Sequence, residues 1–226
     1  MLQQESIDKL DSFFSQYKIL NYKSRSVISS SNDSGLSIFY IKSGFLRVYR
    51  PSGQGEELTL TILKPKDFFP LNIGLYNIRH TGHYCLEALT PLEIWKVNLK
   101  RFNQFIKREP ALYLALTNKA FFGFNDVLSK MENLLLNNAS IKIAATLISC
   151  ARNYGKNEGK HILINVPLTH RDIAALVGIT RETTSLEIKK LEKQGYLEKK
   201  GKYLLIKNIE NLNKQINLIA DNNSSI

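Results

Sequence analysis

The sequence predicts an α+β chain in three parts: a strand-rich N-terminal half, one long helix, and a helical module ending in a basic hairpin. Three observations carry this. Up to about Val97, period-two runs such as Leu58-Thr-Leu-Thr-Ile62 are cut short by Gly53, Gly55, Pro65 and Pro91, which favours short antiparallel strands. From Pro110 to about Asn137 the apolar residues Leu116, Ala120, Phe124, Val127, Met131 and Leu134 recur at steps of four and three, the spacing of a coiled-coil-like seam. Beyond Pro167, two short helical runs meet at Gly178 and lead into two strands around Lys200-Gly201, a helix-turn-helix with a wing. The expected domains are 1–109, 110–138 and 139–226.

Residues 5–17 carry Ile7, Leu10, Phe13, Phe14 and Tyr17 at helical spacing, so the chain opens on an amphipathic helix. Ser29–Gly35 is a polar loop. In the long helix the seam is joined by Phe121, Phe122, Leu128 and Leu135. That is more apolar surface than one neighbouring sheet covers, so a homodimer is expected, with Leu116, Ala120, Phe124, Val127, Met131 and Leu134 at its interface. Asn137-Asn-Ala-Ser140 reads as a hinge. The next helix, Ile141 to Arg152, supplies Ile143, Ala144, Leu147 and Ile148 to a second core. Residues 153–159 are expected as a loop, His161–Val166 as a strand, and Ile209, Leu212, Ile216 and Ile219 as a short C-terminal helix.

In the module itself, Thr169 and Thr180 stand where helix N-caps belong, each hydroxyl able to accept from an orphan backbone N–H. Gly178 permits the sharp turn between the helices. Thr184, Ile188 and Leu191 form the buried stripe of the second helix, while Arg181, Glu182, Ser185, Leu186, Lys189 and Lys193 fall on its other side. A major groove admits one helix, and Arg and Glu near its N-terminus suit the edges of guanine and cytosine. From Thr169 to Lys207 there are nine Lys or Arg against five acids, a surplus suited to phosphates. Double-stranded DNA is therefore the expected partner. Arg181 and Glu182 are the candidates for bases, Ser185 for a base or a phosphate, and Lys189, Lys200 and Lys202 for phosphates. Thr169, His170, Arg171, Thr180, Thr183 and Leu186 complete the candidate surface. His170 reads as a phosphate contact or a solvated residue.

At these residues the chain resembles the winged helix-turn-helix of the cyclic-AMP receptor protein and FNR (Crp/Fnr) family of bacterial regulators, with Arg181-Glu182-Thr183 as the strongest signature. Upstream, Phe39-Tyr-Ile-Lys-Ser-Gly-Phe-Leu-Arg-Val-Tyr49 and Glu57–Phe68 look like that family's β-roll. The resemblance covers nearly the whole chain. It implies a cyclic-nucleotide-binding-like β-roll (jelly roll), a dimerisation helix and a pseudo-palindromic target with half-sites roughly 10 base pairs apart. Where many relatives carry a second arginine, one turn after Glu182, this chain has Leu186, which can touch a thymine methyl but cannot bond guanine.

The sensing residues depart further. Cyclic-AMP binders of this family hold the nucleotide with a Gly-Glu pair after the Asp-Phe strand and an Arg-Ser pair at the next strand, whereas this chain reads Phe68-Phe-Pro-Leu71 and His80-Thr-Gly-His-Tyr-Cys85. Pro70 removes a backbone donor and Leu71 the expected carboxylate. No cyclic-AMP binding of the usual kind is expected. Candidates for an effector pocket are Phe69, Pro70, Leu71, His83, Tyr84, Cys85, Val127 and Leu128. Some relatives bind haem in this region, and His80, His83 and Cys85 leave haem or a metal as an open alternative, though no third ligand is evident. The family's iron–sulfur sensors use four cysteines, and only Cys85 and Cys150 are present, so no cluster of that type is expected. No cofactor is therefore expected, and the residues identify no small-molecule effector.

Composition agrees. The formal charge of +11 and pI near 9.6 favour a polyanionic partner. No apolar run approaches the roughly 20 residues that span a bilayer and no leader pattern opens the chain, so no membrane partner and a cytoplasmic location are expected. Two distant cysteines fit reduced thiols. There is no phosphate loop, serine elbow, paired carboxylates or metal-binding histidine pair, which argues against an enzyme. A protein-interaction adaptor with a winged helix not used for DNA is the alternative. RNA polymerase stays an open partner, since no residue pattern identifies its surface.

Overall fold

A computed structural model describes residues 3–29, 37–51, 57–70, 84–136 and 138–214, without the side chains of 126 and 134–136. The chain forms two compact units, Met1–Pro51 with Leu60–Leu128 and Ser52–Thr59 with Ser129–Ile226.

The first unit opens with α1 (Gln4–Phe14), shorter than the periodicity suggested. Its strands are β1 (Ile19–Tyr22), β2 (Val27–Ser29), β3 (Ser37–Ser43), β4 (Leu46–Pro51), β5 (Glu57–Leu63), β6 (Phe68–Phe69), β7 (Cys85–Ala88) and β8 (Leu92–Asn98). They make two four-stranded sheets, ordered β1-β8-β3-β6 and β2-β7-β4-β5. In β3 the side chains alternate between two cores. Ile38 and Tyr40 join Leu10, Phe14, Trp95 and Phe102, while Phe39 and Ile41 join Leu46, Val48, Leu86 and Ile94. A strand covered on both faces reads as a continuous apolar run, which is why Ile38-Phe-Tyr-Ile41 shows no alternation.

Two helices close this unit. The first, α2 (Leu99–Lys107), falls between the strands and the long helix and has no counterpart among the expected elements; Asn98 caps it by accepting from the Lys100 N–H at 2.8 Å. Its Leu99, Phe102 and Ile106 are buried, a three-and-four spacing too short to stand out beside strand β8. The long helix, α3, runs Pro110–Leu136. Its first turns belong to this unit's core, where Leu112 and Leu116 are buried with Phe102 and Trp95. Leu116 is therefore not part of a dimer seam: it is fully covered by its own β-rich unit, and the available face begins later.

In the second unit α4 spans Ala139–Tyr154, with Asn138 accepting from the Ile141 N–H at 3.1 Å. The expected hinge residues Ala139 and Ser140 are thus the first turn of a capped helix. Residues 153–159 are not a loop: β9 (Gly155–Glu158) pairs antiparallel with β10 (His161–Ile164). A polar edge strand such as Gly-Lys-Asn-Glu has no apolar alternation to reveal it. Then come α5 (His170–Val177), α6 (Arg181–Lys193), β11 (Leu197–Lys200) and β12 (Tyr203–Ile206), in a sheet ordered β11-β12-β10-β9. Lys200 pairs with Tyr203, so the wing turn is Gly201-Lys202 rather than Lys200-Gly201. Residues 209–214 are helical; Ile216 and Ile219 lie outside the described residues. Among the described residues, no helix is long and apolar enough to cross a membrane, and no group of three or more potential metal ligands occurs.

Candidate nucleic-acid interface

The interface is built on two capped helices and a wing. At the start of α5 the Thr169 hydroxyl accepts from the Asp172 N–H at 3.2 Å, while a carboxylate oxygen of Asp172 accepts from the Thr169 N–H at 2.8 Å and from its hydroxyl at 2.7 Å. This reciprocal box fixes where α5 begins. The helix ends at Gly178, whose φ of +72° only glycine adopts without strain, and the Gly178 N–H donates to the Ala174 carbonyl at 2.8 Å. Thr180 then caps α6, accepting from the Thr183 N–H at 3.2 Å and sharing a hydrogen bond with the Thr183 hydroxyl at 2.9 Å. The hydroxyls of Thr169, Thr180 and Thr183 are all used in placing the helices.

On α6, Thr184, Ile188 and Leu191 are buried, and Arg181, Glu182, Leu186 and Lys189 are exposed, as the helical spacing requires. Leu186 is 61% exposed, an isolated apolar side chain between charged ones. Ser185 is half-buried at the edge of this face, and its Oγ lies 2.8 Å from Nδ1 of His170 on the first turn of α5. Burial, reinforced by the positive charges of Lys199, Arg181 and Lys189 against Glu192, pushes the His170 ring below its ordinary pKa. Neither this contact nor the burial of Glu187 was visible in the sequence, because residues 15 positions apart on different helices share no periodic signal. Arg171 is exposed beside His170.

The wing presents Lys199, Lys200 and Lys202, all exposed. Lys200 reaches back to Glu158 of β9 at 2.5 Å, and Lys202 lies 5.4 Å from the Tyr203 ring centroid. Glu198 is bonded to Lys207 at 2.8 Å, which holds its carboxyl below the usual range.

The effector-pocket candidates divide. Phe69 and Tyr84 pack against the core of Val48 and Leu86, with their rings edge to face at 6.3 Å. Pro70 is buried and Cys85 half-buried. Val127 and Leu128 are exposed on α3. Leu71, His80 and His83 lie outside the described residues. Of the dimerisation candidates other than Leu116, Phe124, Val127 and Met131 are exposed, Ala120 is half-buried, and the Leu134 side chain lies outside the described residues.

Comparison with known proteins agrees with this geometry. Residues 141–215 match the Crp-like helix-turn-helix domain, and residues 19–109 the cyclic nucleotide-binding domain. The cAMP-activated global transcriptional regulator CRP of Pasteurella multocida (strain Pm70) is 27% identical over 205 residues, 89% of this chain and 96% of that protein. Among solved structures, a mutant of CooA from Carboxydothermus hydrogenoformans superposes with a TM-score of 0.75 at 21% identity, covering 96% of this chain and 98% of that one. A transcriptional regulator of the CRP/FNR family from Thermus thermophilus gives 0.66 at 21% identity, covering 88% and 97%.

Proposed function

The chain belongs to the Crp/Fnr family of DNA-binding transcription regulators, and we propose that it acts as a homodimer on pseudo-palindromic sites, independently of cyclic AMP. It is not an enzyme. The observation that carries the dimeric reading is the apolar face of α3, where Phe121, Phe124, Val127, Leu128 and Met131 are each more than two-fifths exposed. Monomeric proteins seldom leave such a contiguous face in water. Pairing it with a second copy about a two-fold axis sets two α6 helices to read two half-sites.

Reading of bases falls to Arg181 and Glu182, with Lys189 and Lys202 on phosphates. Lys200 joins them only by leaving Glu158, its partner at 2.5 Å. Independence from cyclic AMP rests on Pro70, which has no N–H to give a phosphate, and on the aromatic packing of Phe69 and Tyr84. The same crowding argues against haem. The protein works in the cytoplasm, where its DNA is, and activation would add contact with RNA polymerase. Selection of bound duplexes from a random pool tests the whole reading. A recovered palindrome with half-sites about 10 base pairs apart supports it. Recovery of no common sequence, with salt-insensitive binding, would support an adaptor instead.

A further inference from the structure

The contact between His170 and Ser185 joins the first turn of α5 to the base-reading helix, and it constrains what Ser185 can offer a base. A serine hydroxyl has one proton and two acceptor positions. If a neutral ring carries its proton on Nε2, Nδ1 accepts the hydroxyl proton and the oxygen faces the groove with lone pairs only; if Nδ1 carries a proton, as in the charged ring or the other neutral tautomer, it donates and the hydroxyl proton is released toward the groove. The Oγ–Nδ1 distance of 2.8 Å makes one or other bond obligatory. Ser185 stands beside Glu182 and Lys189 at the edge of the exposed face of α6, half-buried next to the buried Ile188.

The geometry points to His170 as a positioning residue that sets the hydrogen-bonding sense of Ser185, so that one position of each half-site is read as a major-groove amine, adenine or cytosine, while the ring is neutral with its proton on Nε2. This rests on the DNA-reading role proposed above. Adenine N6 and cytosine N4 are the only major-groove donors; guanine and thymine present acceptors there, adenine adds an acceptor at N7, and cytosine has none. The charged groups acting on the ring are Lys199 of β11 and Arg181, Lys189 and Glu192 of α6, three positive against one negative, and together with burial they keep it neutral at ordinary pH. Approaching phosphates act the opposite way, so protonation in the complex occurs at higher pH than in the free protein.

The test is selection from a random-core duplex library with the full-length protein at about pH 8 and about pH 5, either side of the ordinary histidine range. The readout is base frequency at the position whose preference Ser185→Ala abolishes. At about pH 8 the wild type is expected to favour adenine or cytosine there by about threefold to tenfold, the discrimination of one hydrogen bond. At about pH 5 cytosine, which has no major-groove acceptor, is disfavoured, and adenine loses its advantage over guanine and thymine. His170→Asn, whose amide oxygen accepts from Ser185 without titrating, keeps the adenine or cytosine preference at both pH values, and His170→Ala loses it. If His170→Ala does not fold, the wild-type pH response and the Asn variant decide. Recovery of a palindrome with no Ser185-dependent position, or with a preference unmoved by pH and by His170 substitution, overturns the inference while leaving DNA recognition intact. Failure to recover any palindrome overturns both.

Discussion

Phe124→Ala should weaken the proposed dimer by a calculable amount. The Phe124 side chain is 58% exposed in one protomer and sits between Val127 and Ala120 on α3. Fully burying a phenylalanine stabilises by about 1.5–3 kcal/mol, so covering the exposed share contributes about 1–2 kcal/mol. A two-fold axis counts it twice, giving about 2–4 kcal/mol, or a rise of about 30- to 1,000-fold in the dimer dissociation constant. Sedimentation velocity over a dilution series measures this directly. Phe122 is the control: it is 70% exposed, but two residues along a helix is about 200° of rotation, which puts it across the axis from Phe124. Phe122→Ala is expected to leave association within about threefold of wild type, a change under about 1 kcal/mol. Equal dissociation constants for Phe124→Ala and wild type would refute the assignment of this face. A large effect from Phe122→Ala alone would refute the geometry.

Arg181→Ala should lose about 1–3 kcal/mol on a selected site and relax base preference there, measured by competition binding; an equal loss on random DNA would show a phosphate contact only. Thr169→Ala removes a cap and one donor to the buried Asp172 carboxylate, and is expected to cost about 2–3 kcal/mol in denaturant unfolding followed by circular dichroism. No change would mean that the box adds nothing. Isothermal titration with cyclic AMP should give no binding heat, and micromolar affinity would sink the proposed independence. Cys150 is buried, and burial pushes its thiol from 9.0 up to about 12. Its folded value lies above its unfolded one, so the stability it contributes is complete below about pH 9 and is lost as pH rises toward 12. The unfolding midpoint should therefore fall across that window, and Cys150→Ala should flatten the fall.

The parts of the fold legible in the sequence were those where periodicity and punctuation coincide. Thr169, Gly178 and Thr180 marked both helices of the DNA-reading module to within a residue, because caps and a left-handed glycine are local requirements. Leu116 shows the limit. Its spacing fits the seam of α3, but spacing gives only direction around a helix axis, and which neighbour covers that direction depends on the fold; here it is the unit's own Phe102 and Trp95 core. Strand β9 escaped for the complementary reason, since its register with His161–Ile164 is made by backbone groups that nearly every residue carries. The coupling of His170 to Ser185 is likewise a product of helix packing.

The buried acids change the electrostatics of the candidate surface from what a residue count implies. Of the five acids between Thr169 and Lys207, Asp172 is buried inside the α5 cap and Glu187 is buried against Lys190 at 2.5 Å. Glu198 is held by Lys207 at 2.8 Å. These three charges are committed to structure or to neighbouring lysines, and each lysine pair nearly cancels at the distance of a phosphate. The face built by Arg181, Lys189, Lys193, Lys199 and Lys202 is opposed chiefly by Glu182 and Glu192, and Glu182 is exposed beside Arg181. Five against two is a surplus of three, close to the four that nine against five gives, but it is carried by side chains on one exposed face rather than spread over the whole module. An acid at Glu182 in such a field makes poor sense as a phosphate contact, because it would repel the backbone it faced; it makes sense opposite a base amine, where its charge strengthens a hydrogen bond. That is why Glu182, and not the lysines around it, is the residue whose loss should change which sequence is bound rather than how tightly DNA is held.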